Sequence, residues 1–438
     1  RLIEELGKPS DKRSEDTEGR LRDKLTLLNN QLKSLNQELQ DKFPKLAAII
    51  TPKPLKASDV QSLLQANEAL VKYVINKDES FLWVIRKDGI TFKKLDLTRS
   101  EVEDLVSALR KGLDPSGIQH LSQLKDRPFD TTKSHTLYNR LFAPAQEALG
   151  GIDHVMLVLD GALQSLPFGV LVSEEPANIT KLSDYRGVSW LANKYALTTL
   201  PSVSSLKSLR VYAKLSGAQD PFIGFGDPAL IEQEESEVPK RGKTAIDLFT
   251  RGPIADATSI HALGSLPDTA DELRSIAKSL GADDGSLYLK EQATETIVKD
   301  APLSGAKVLA FATHGLLAGE IQGLAEPGLV LSPPDKGTER DDGYLTASEV
   351  AQLELNADWV ILSACNTAAP DGTPGAEGLT GLAKAFFYAG TRSLLVSHWP
   401  VLSDAATALT TGMFREMKDK SVGRAQALKR SMKTFMNT

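Results

Sequence analysis

A single cysteine, Cys365, serves the whole 438-residue chain. A disulfide framework within the chain is thereby excluded, and so is a zinc or iron–sulfur site built on several thiolates. No apolar run reaches the roughly 18 residues needed to cross a bilayer. The opening Arg1-Leu2-Ile3-Glu4-Glu5 lacks the form of a signal peptide. A reducing, cytoplasmic setting is the expectation. Basic residues are not in excess: 51 Lys and Arg stand against 57 Asp and Glu, a net charge of −6 with no footprint for nucleic acid. No two of the six histidines have metal-ligand spacing on a helix, so neither a metal nor another cofactor is expected. A Walker loop and a Gly-x-Ser-x-Gly elbow are also missing. Gly224-Phe225-Gly226 imitates a dinucleotide fingerprint, but Pro228 and the polar stretch Glu232–Glu237 follow where its helix should start. The chain does not begin with Met and reads as a piece of something longer.

What is present divides into three segments, as expected of a chain too long for one core. Residues 1–48 are read as helical. Leu21, Leu25, Leu28, Leu32, Leu35 and Leu39 repeat at alternating spacings of four and three, a heptad seam that Pro44 stops. This seam fits a hairpin packed on its own domain or the last helix of an upstream repeat array. Residues 49–215 are read as an α/β half. Ser80–Arg86 and Thr91–Leu95 form strands around the Asp88-Gly89 turn, and His154–Leu159 is a buried strand.

Residues 216–438 alternate apolar strands with amphipathic helices, the pattern of a mostly parallel sheet covered on both faces. Strands are expected at Phe222–Phe225, Leu287–Leu289, Val308–Ala312, Trp359–Ser363 and Ser393–Ser397. Asp268 is expected to cap a helix that Gly281 ends, and Thr346-Ala347-Ser348-Glu349 is a capping box. Two of these strands run into reactive groups at their carboxyl ends, where α/β sheets collect their chemistry. Val308–Ala312 leads to His314-Gly315, and Trp359–Ser363 leads to Cys365. Consecutive strands are usually neighbours, so the imidazole and thiol are expected on one rim. An imidazolium beside a thiol keeps the thiolate populated, and the same ring then serves as proton donor. The N–H groups of Gly315 and Cys365 are the candidate oxyanion donors.

The words around these residues are more specific. VLAFATHGLLAGE, DGYLTASEV, WVILSACNTA, EGLTGLAKAFFYAGTRSLLVSHWPV and HVMLVLDGALQSLPFGVLV resemble the CHAT domain of the caspase clan, from about Leu55 to the C-terminus. His314 and Cys365 lie 51 residues apart, close to the roughly 50 of caspases. The resemblance implies a caspase-like catalytic half and, before it, a degenerate non-catalytic companion. It implies a cysteine endopeptidase acting on a protein substrate through Cys365 and His314. It also implies tetratricopeptide repeats upstream, through which an activating partner acts. In that clan the loop matching Ala368–Gly378 shapes the substrate groove. A scaffold with a silent caspase-like fold stays open as the alternative, since a fold alone proves no chemistry, and a Cys-based acyltransferase stays open behind it.

A specificity pocket has several candidates. Asp227 closes the first strand of the second half on the expected rim, where an unpaired carboxylate selects Lys or Arg; the Asp227-Pro228 pair equally reads as a turn. Asp371, Glu377 and Asp404 are alternative sources of that charge. His398, between Ser397 and Trp399, is read as structural or pocket-lining.

Overall fold

The computed structural model describes residues 15–42, 54–113, 128–212, 216–230, 260, 263–316, 326–363, 381–398, 401 and 403–437. Helix α1 (Glu15–Lys42) carries the leucine seam, and Pro44, expected to stop it, lies outside the described residues. Leu25 and Leu28 of the seam are exposed, so among the described residues nothing covers these two side chains.

The first half is built on one five-stranded sheet. After α2 (Ala57–Leu63) come β1 (Glu68–Ile75), β2 (Ser80–Arg86) and β3 (Gly89–Leu95), then α3 (Arg99–Leu113), α4 (Thr131–Leu141), β4 (His154–Val158) and β5 (Ala196–Thr199). The strand order is β3-β2-β1-β4-β5. The β1–β2–β3 meander is antiparallel, while β4 and β5 add in parallel to β1. Strand β1 was not anticipated. Its apolar run is broken by Lys72, whose side chain sits on the less buried face between Val71 and Tyr73. Val71, Tyr73, Leu82 and Val84 pack under α3 and α4 on one face. Leu70, Ile85, Met156 and Val158 meet α2 on the other.

The second half is a five-stranded, all-parallel sheet of order β13-β12-β8-β6-β7. Its strands are β6 (Ile223–Pro228), β7 (Leu287–Lys290), β8 (Val308–Ala312), β12 (Trp359–Leu362) and β13 (Leu394–Val396). Between β8 and β12 lies a small antiparallel sheet of β9 (Gly315–Leu316), β10 (Gly328–Val330) and β11 (Tyr344–Thr346). Helices α5 (Asp268–Leu280), α9 (Ser403–Glu416) and α10 (Arg424–Met436) cover one face through Leu273, Ile276, Met413, Phe414 and Ala427. Helices α6 (Glu295–Asp300), α7 (Ala347–Val350) and α8 (Gly381–Ala389) cover the other. This mixed architecture is the α/β fold that the alternation of strands and helices implies, and it agrees with the caspase-like fold that the resemblance implies.

Local signals explain the element ends. Gly281 takes a left-handed conformation, φ 78°, after α5. Thr346 and Glu349 close a reciprocal capping box on α7. Asp268 does not cap α5: the N-cap is Pro267, and Asp268 is the first helical residue, where its charge still suits the helix dipole. Gly224 and Gly226, the false fingerprint, are explained by packing. A Cβ on them would come within 3.1 Å and 2.7 Å of Leu273, so bare backbone lets α5 lie close on β6. The halves meet through α10, whose Lys429 ammonium donates to the Lys194 carbonyl beside β5 at 2.8 Å.

Candidate active site

In the order β13-β12-β8-β6-β7, the chain steps from β6 outward to β7, then back across to β8. The crevice between β6 and β8 is the topological switch point, where such sheets place their ligands. His314 follows β8 at that crevice.

Two hydrogen bonds fix its backbone. The Thr313 hydroxyl donates to the Val330 carbonyl at 2.5 Å, and the Val330 N–H donates to the His314 carbonyl at 2.9 Å. The imidazole is therefore anchored by the central sheet and by the small sheet together. The His314 Nε2 lies 2.8 Å from the Gly264 carbonyl. A carbonyl only accepts, so Nε2 carries the proton of the neutral ring and Nδ1 keeps its lone pair. Burial pushes the imidazole pKa below its usual 6.5, with the Gly264 carbonyl opposing in part. The resting ring at neutral pH is thus neutral. The sequence suggests an imidazolium beside a thiolate; burial favours instead a base ready to take the proton.

Gly315 pairs with Leu329 in the antiparallel ladder. The flanking bond from Val330 N–H to the His314 carbonyl makes this a non-hydrogen-bonded pair, in which the paired residues turn their N–H groups away from each other. The Gly315 N–H therefore points away from β10, as an oxyanion donor requires.

The strand that precedes Cys365 in the sequence is the neighbour of β8. β12 pairs with β8 from Trp359 against Val308 to Leu362 against Phe311, and the Ser363 N–H extends the ladder to the Phe311 carbonyl at 2.9 Å. Cys365 lies outside the described residues, as do Asp371, Glu377 and the Ala368–Gly378 loop.

The remaining pocket candidates go separate ways. Asp227 does sit on this rim, but it is buried and its carboxylate is 2.9 Å from the Lys290 ammonium. Its N–H donates to the Thr269 hydroxyl at 3.0 Å. That charge is committed to joining β6 to β7, which speaks for the turn reading. His398 faces the first half. Its carbonyl accepts from Arg110 of α3 at 3.2 Å, and the same guanidinium donates to the Ser165 carbonyl. Burial, then the Arg110 charge, lowers the His398 imidazole to about 4, with the Ser165 carbonyl opposing. It is a half-buried neutral ring at a junction between halves. Asp404 is exposed in the first turn of α9. Two residues escaped sequence reasoning. Gly264 acts through its carbonyl, which no residue type advertises. Glu272 lies on the buried stripe of α5, and a carboxylate falling on a stripe with Leu273 and Ile276 was the legible signal.

Comparison with known proteins gives a match to the CHAT domain over residues 131–438. The match opens at α4, later than the Leu55 suggested by the sequence motifs. Mouse tetratricopeptide repeat protein 28 is 22% identical over 431 residues, covering 87% of this chain and 16% of the relative. The human protein of the same name is 22% identical over 401 residues, covering 81% and 14%. The chain thus spans about a sixth of the length of the curated relatives it matches. Among the described residues, no helix is long and apolar enough to cross a membrane.

Proposed function

This chain belongs to the CHAT-domain family, and from that premise we propose that it is a cysteine endopeptidase working through Cys365 and His314. The observation that supports this most directly is the His314–Gly264 contact. It sets the tautomer that leaves Nδ1 as a base, on a ring whose burial keeps it neutral, beside the strand that leads to Cys365.

The steps follow from these groups. His314 Nδ1 takes the Cys365 thiol proton as sulfur attacks the scissile carbonyl. The oxyanion is met by the N–H groups of Gly315 and Cys365. The imidazolium, its Nε2–H still held by Gly264, returns the proton to the leaving amine. The thioester left on Cys365 is hydrolysed by water that His314 deprotonates. The relatives are named for tetratricopeptide repeats. We extend this to the present chain as upstream repeats through which a protein partner controls access to the site, with the exposed leucines of α1 as their junction.

The test is a proteome digest. A longer natural form carrying this chain is incubated with a cell extract, and new N-termini are mapped against a Cys365→Ala control. Termini that vanish in the control are expected. Identical maps would leave the fold as a non-catalytic scaffold.

A further inference from the structure

The strand that carries Gly315 is two residues long and forms the edge of the small sheet, paired with β10. Glycine has the freest backbone of any residue, so nothing in Gly315 itself fixes its direction. Its N–H shares one planar peptide with the His314 carbonyl and points the opposite way. The Val330 N–H holds that carbonyl at 2.9 Å. A single bond at the edge of a sheet leaves the peptide able to rock, and a second hold beyond Gly315 removes that freedom.

The second hold comes from a third strand. Tyr344 opens β11, on the far side of β10, and is 1% exposed. Its hydroxyl donates to the Leu316 carbonyl at 3.3 Å and to the Glu326 carbonyl at 3.1 Å. These are the longer legs of one proton shared between two acceptors. To reach β9 the ring lies across β10 at Gly328, where a Cβ would come within 2.8 Å of it. The bare backbone of Gly328 makes room for the crossing. Both ends of this brace are anchored. The buried Glu295 carboxylate accepts from the Asp342 and Gly343 N–H groups at 2.7 Å and 3.0 Å, immediately before β11. The Glu326 carboxylate accepts from the Ser348 N–H and hydroxyl of α7 at 2.9 Å and 2.7 Å.

We propose that Tyr344 is a positioning residue for the oxyanion donor: reaching across β10, its hydroxyl locks the Leu316 carbonyl and so keeps the Gly315 N–H turned away from the small sheet, as that donor requires. The inference rests on the reading of Gly315 as a donor beside Cys365 and His314. Such a donor acts on the charge that develops in the transition state and not on the bound ground state. Loosening it therefore lowers kcat and spares KM. A merely structural tyrosine would instead change Tm and the folded fraction, with kcat per folded molecule intact.

The test is Tyr344→Phe in the full chain, which removes the hydroxyl and keeps the ring over Gly328. Tm is expected to fall by only a few degrees, since one hydrogen bond is lost. The backbone order parameter of the Gly315 amide, read by nitrogen-15 relaxation, is expected to fall from about 0.85 toward about 0.6. On a peptide taken from a site found in the proteome digest, kcat is expected to fall about tenfold, short of the hundredfold or more that loss of a whole donor costs. KM should stay within about twofold. An unchanged Gly315 order parameter would overturn the inference, and so would an unchanged kcat in a variant whose Gly315 has loosened. The order parameter needs no turnover, which keeps the two readings apart. Should the wild type cleave nothing, the peptidase reading falls, while the order parameter still decides whether Tyr344 locks Gly315.

Discussion

Each half of the molecule buries a glutamate, and the two are driven in opposite directions. Glu68 opens β1 in the first half. Burial would raise its pKa, but hydrogen bonds from His154, the Gln65 N–H and Arg210, together with the Arg210 charge, hold it down at about 2. Glu272 is as deeply buried in the second half, lacks such partners, and rises to about 7. Burial raises both, and the neighbours decide whether the charged form survives. The same division holds at the strand ends. In the first half, the Asp160 carboxylate beyond β4 accepts from the Ile75 N–H at 2.8 Å, a bond that ties two strands. In the second, His314 beyond β8 has one nitrogen held and the other left with its lone pair. Both carboxylates compared in the first half are satisfied internally, although the buried Tyr73 and Ser80 hydroxyls there have no hydrogen-bond partner among the described residues. The second half leaves reactive capacity unspent, and that difference is what a folded companion and a working site would each require.

The largest expected effect breaks the comparison at its centre. Cys365→Ala and His314→Ala should each reduce proteolysis by at least about a thousandfold, with Tm nearly unchanged. Asp160→Ala should lower Tm and leave the per-molecule rate of the folded fraction intact. Because burial lowers the pKa of the His314 base, the acid limb of the activity profile should fall below pH 6.5. An acid limb above that value would mean that the working base is not this ring.

The glutamates sharpen the comparison through pH. Glu68 has a folded pKa below its usual 4.5, so its stability is present above that value and is lost as pH falls toward about 2. Glu68→Gln should cost about 3 kcal/mol at pH 7, because Arg210 and His154 keep their places and lose their counter-charge. Denaturant titration checks this, and the deficit should shrink toward pH 2. Glu272 works in reverse. Its stability is full below 4.5 and is lost as pH rises through about 7. Glu272→Gln should therefore gain up to about 3 kcal/mol on the wild type at pH 8 and little at pH 4. Parallel pH curves for the two variants would refute the contrast.

How far the sequence showed all this depends on what each residue advertises. The strands β6, β8 and β12 announce themselves as apolar runs, since a parallel strand buried on both faces must be apolar throughout. His314 stands out in the sequence because it closes such a run and is followed by Gly315. Cys365 was legible as the only thiol. β1 was less visible, for its run is interrupted by Lys72, a position whose partial exposure depends on the partner strands. Gly264 was illegible in principle: its contribution is a carbonyl that every residue has, and only the folded chain brings it to Nε2 across 50 residues. The Lys290 partner of Asp227 was hidden likewise, 63 residues along the chain.

That last pair carries the smallest expected effect and divides two readings of one carboxylate. Asp227 sits at φ 45° and Lys290 at φ 52°, both left-handed, where the β6–β7 register slips between Gly226 and Pro228. Their ion pair spans the irregularity, with the lysine half-exposed. Asparagine tolerates a left-handed backbone, so Asp227→Asn removes the charge and little else. A half-exposed pair contributes little, and the loss should be about 1 kcal/mol. Asp227→Ala adds the strain of a Cβ without a local hydrogen bond, about another 1 kcal/mol. Neither substitution should alter which residue precedes the scissile bond, because the carboxylate is already occupied by Lys290. A specificity pocket requires the opposite: a charge whose partner arrives with the substrate, so that its removal costs the basic substrate far more than the fold. Profiling Asp227→Asn against a peptide library, beside its Tm, separates the two. Loss of a preference for Lys or Arg at near-constant Tm would return Asp227 to the pocket and make Lys290 a partner that yields to substrate.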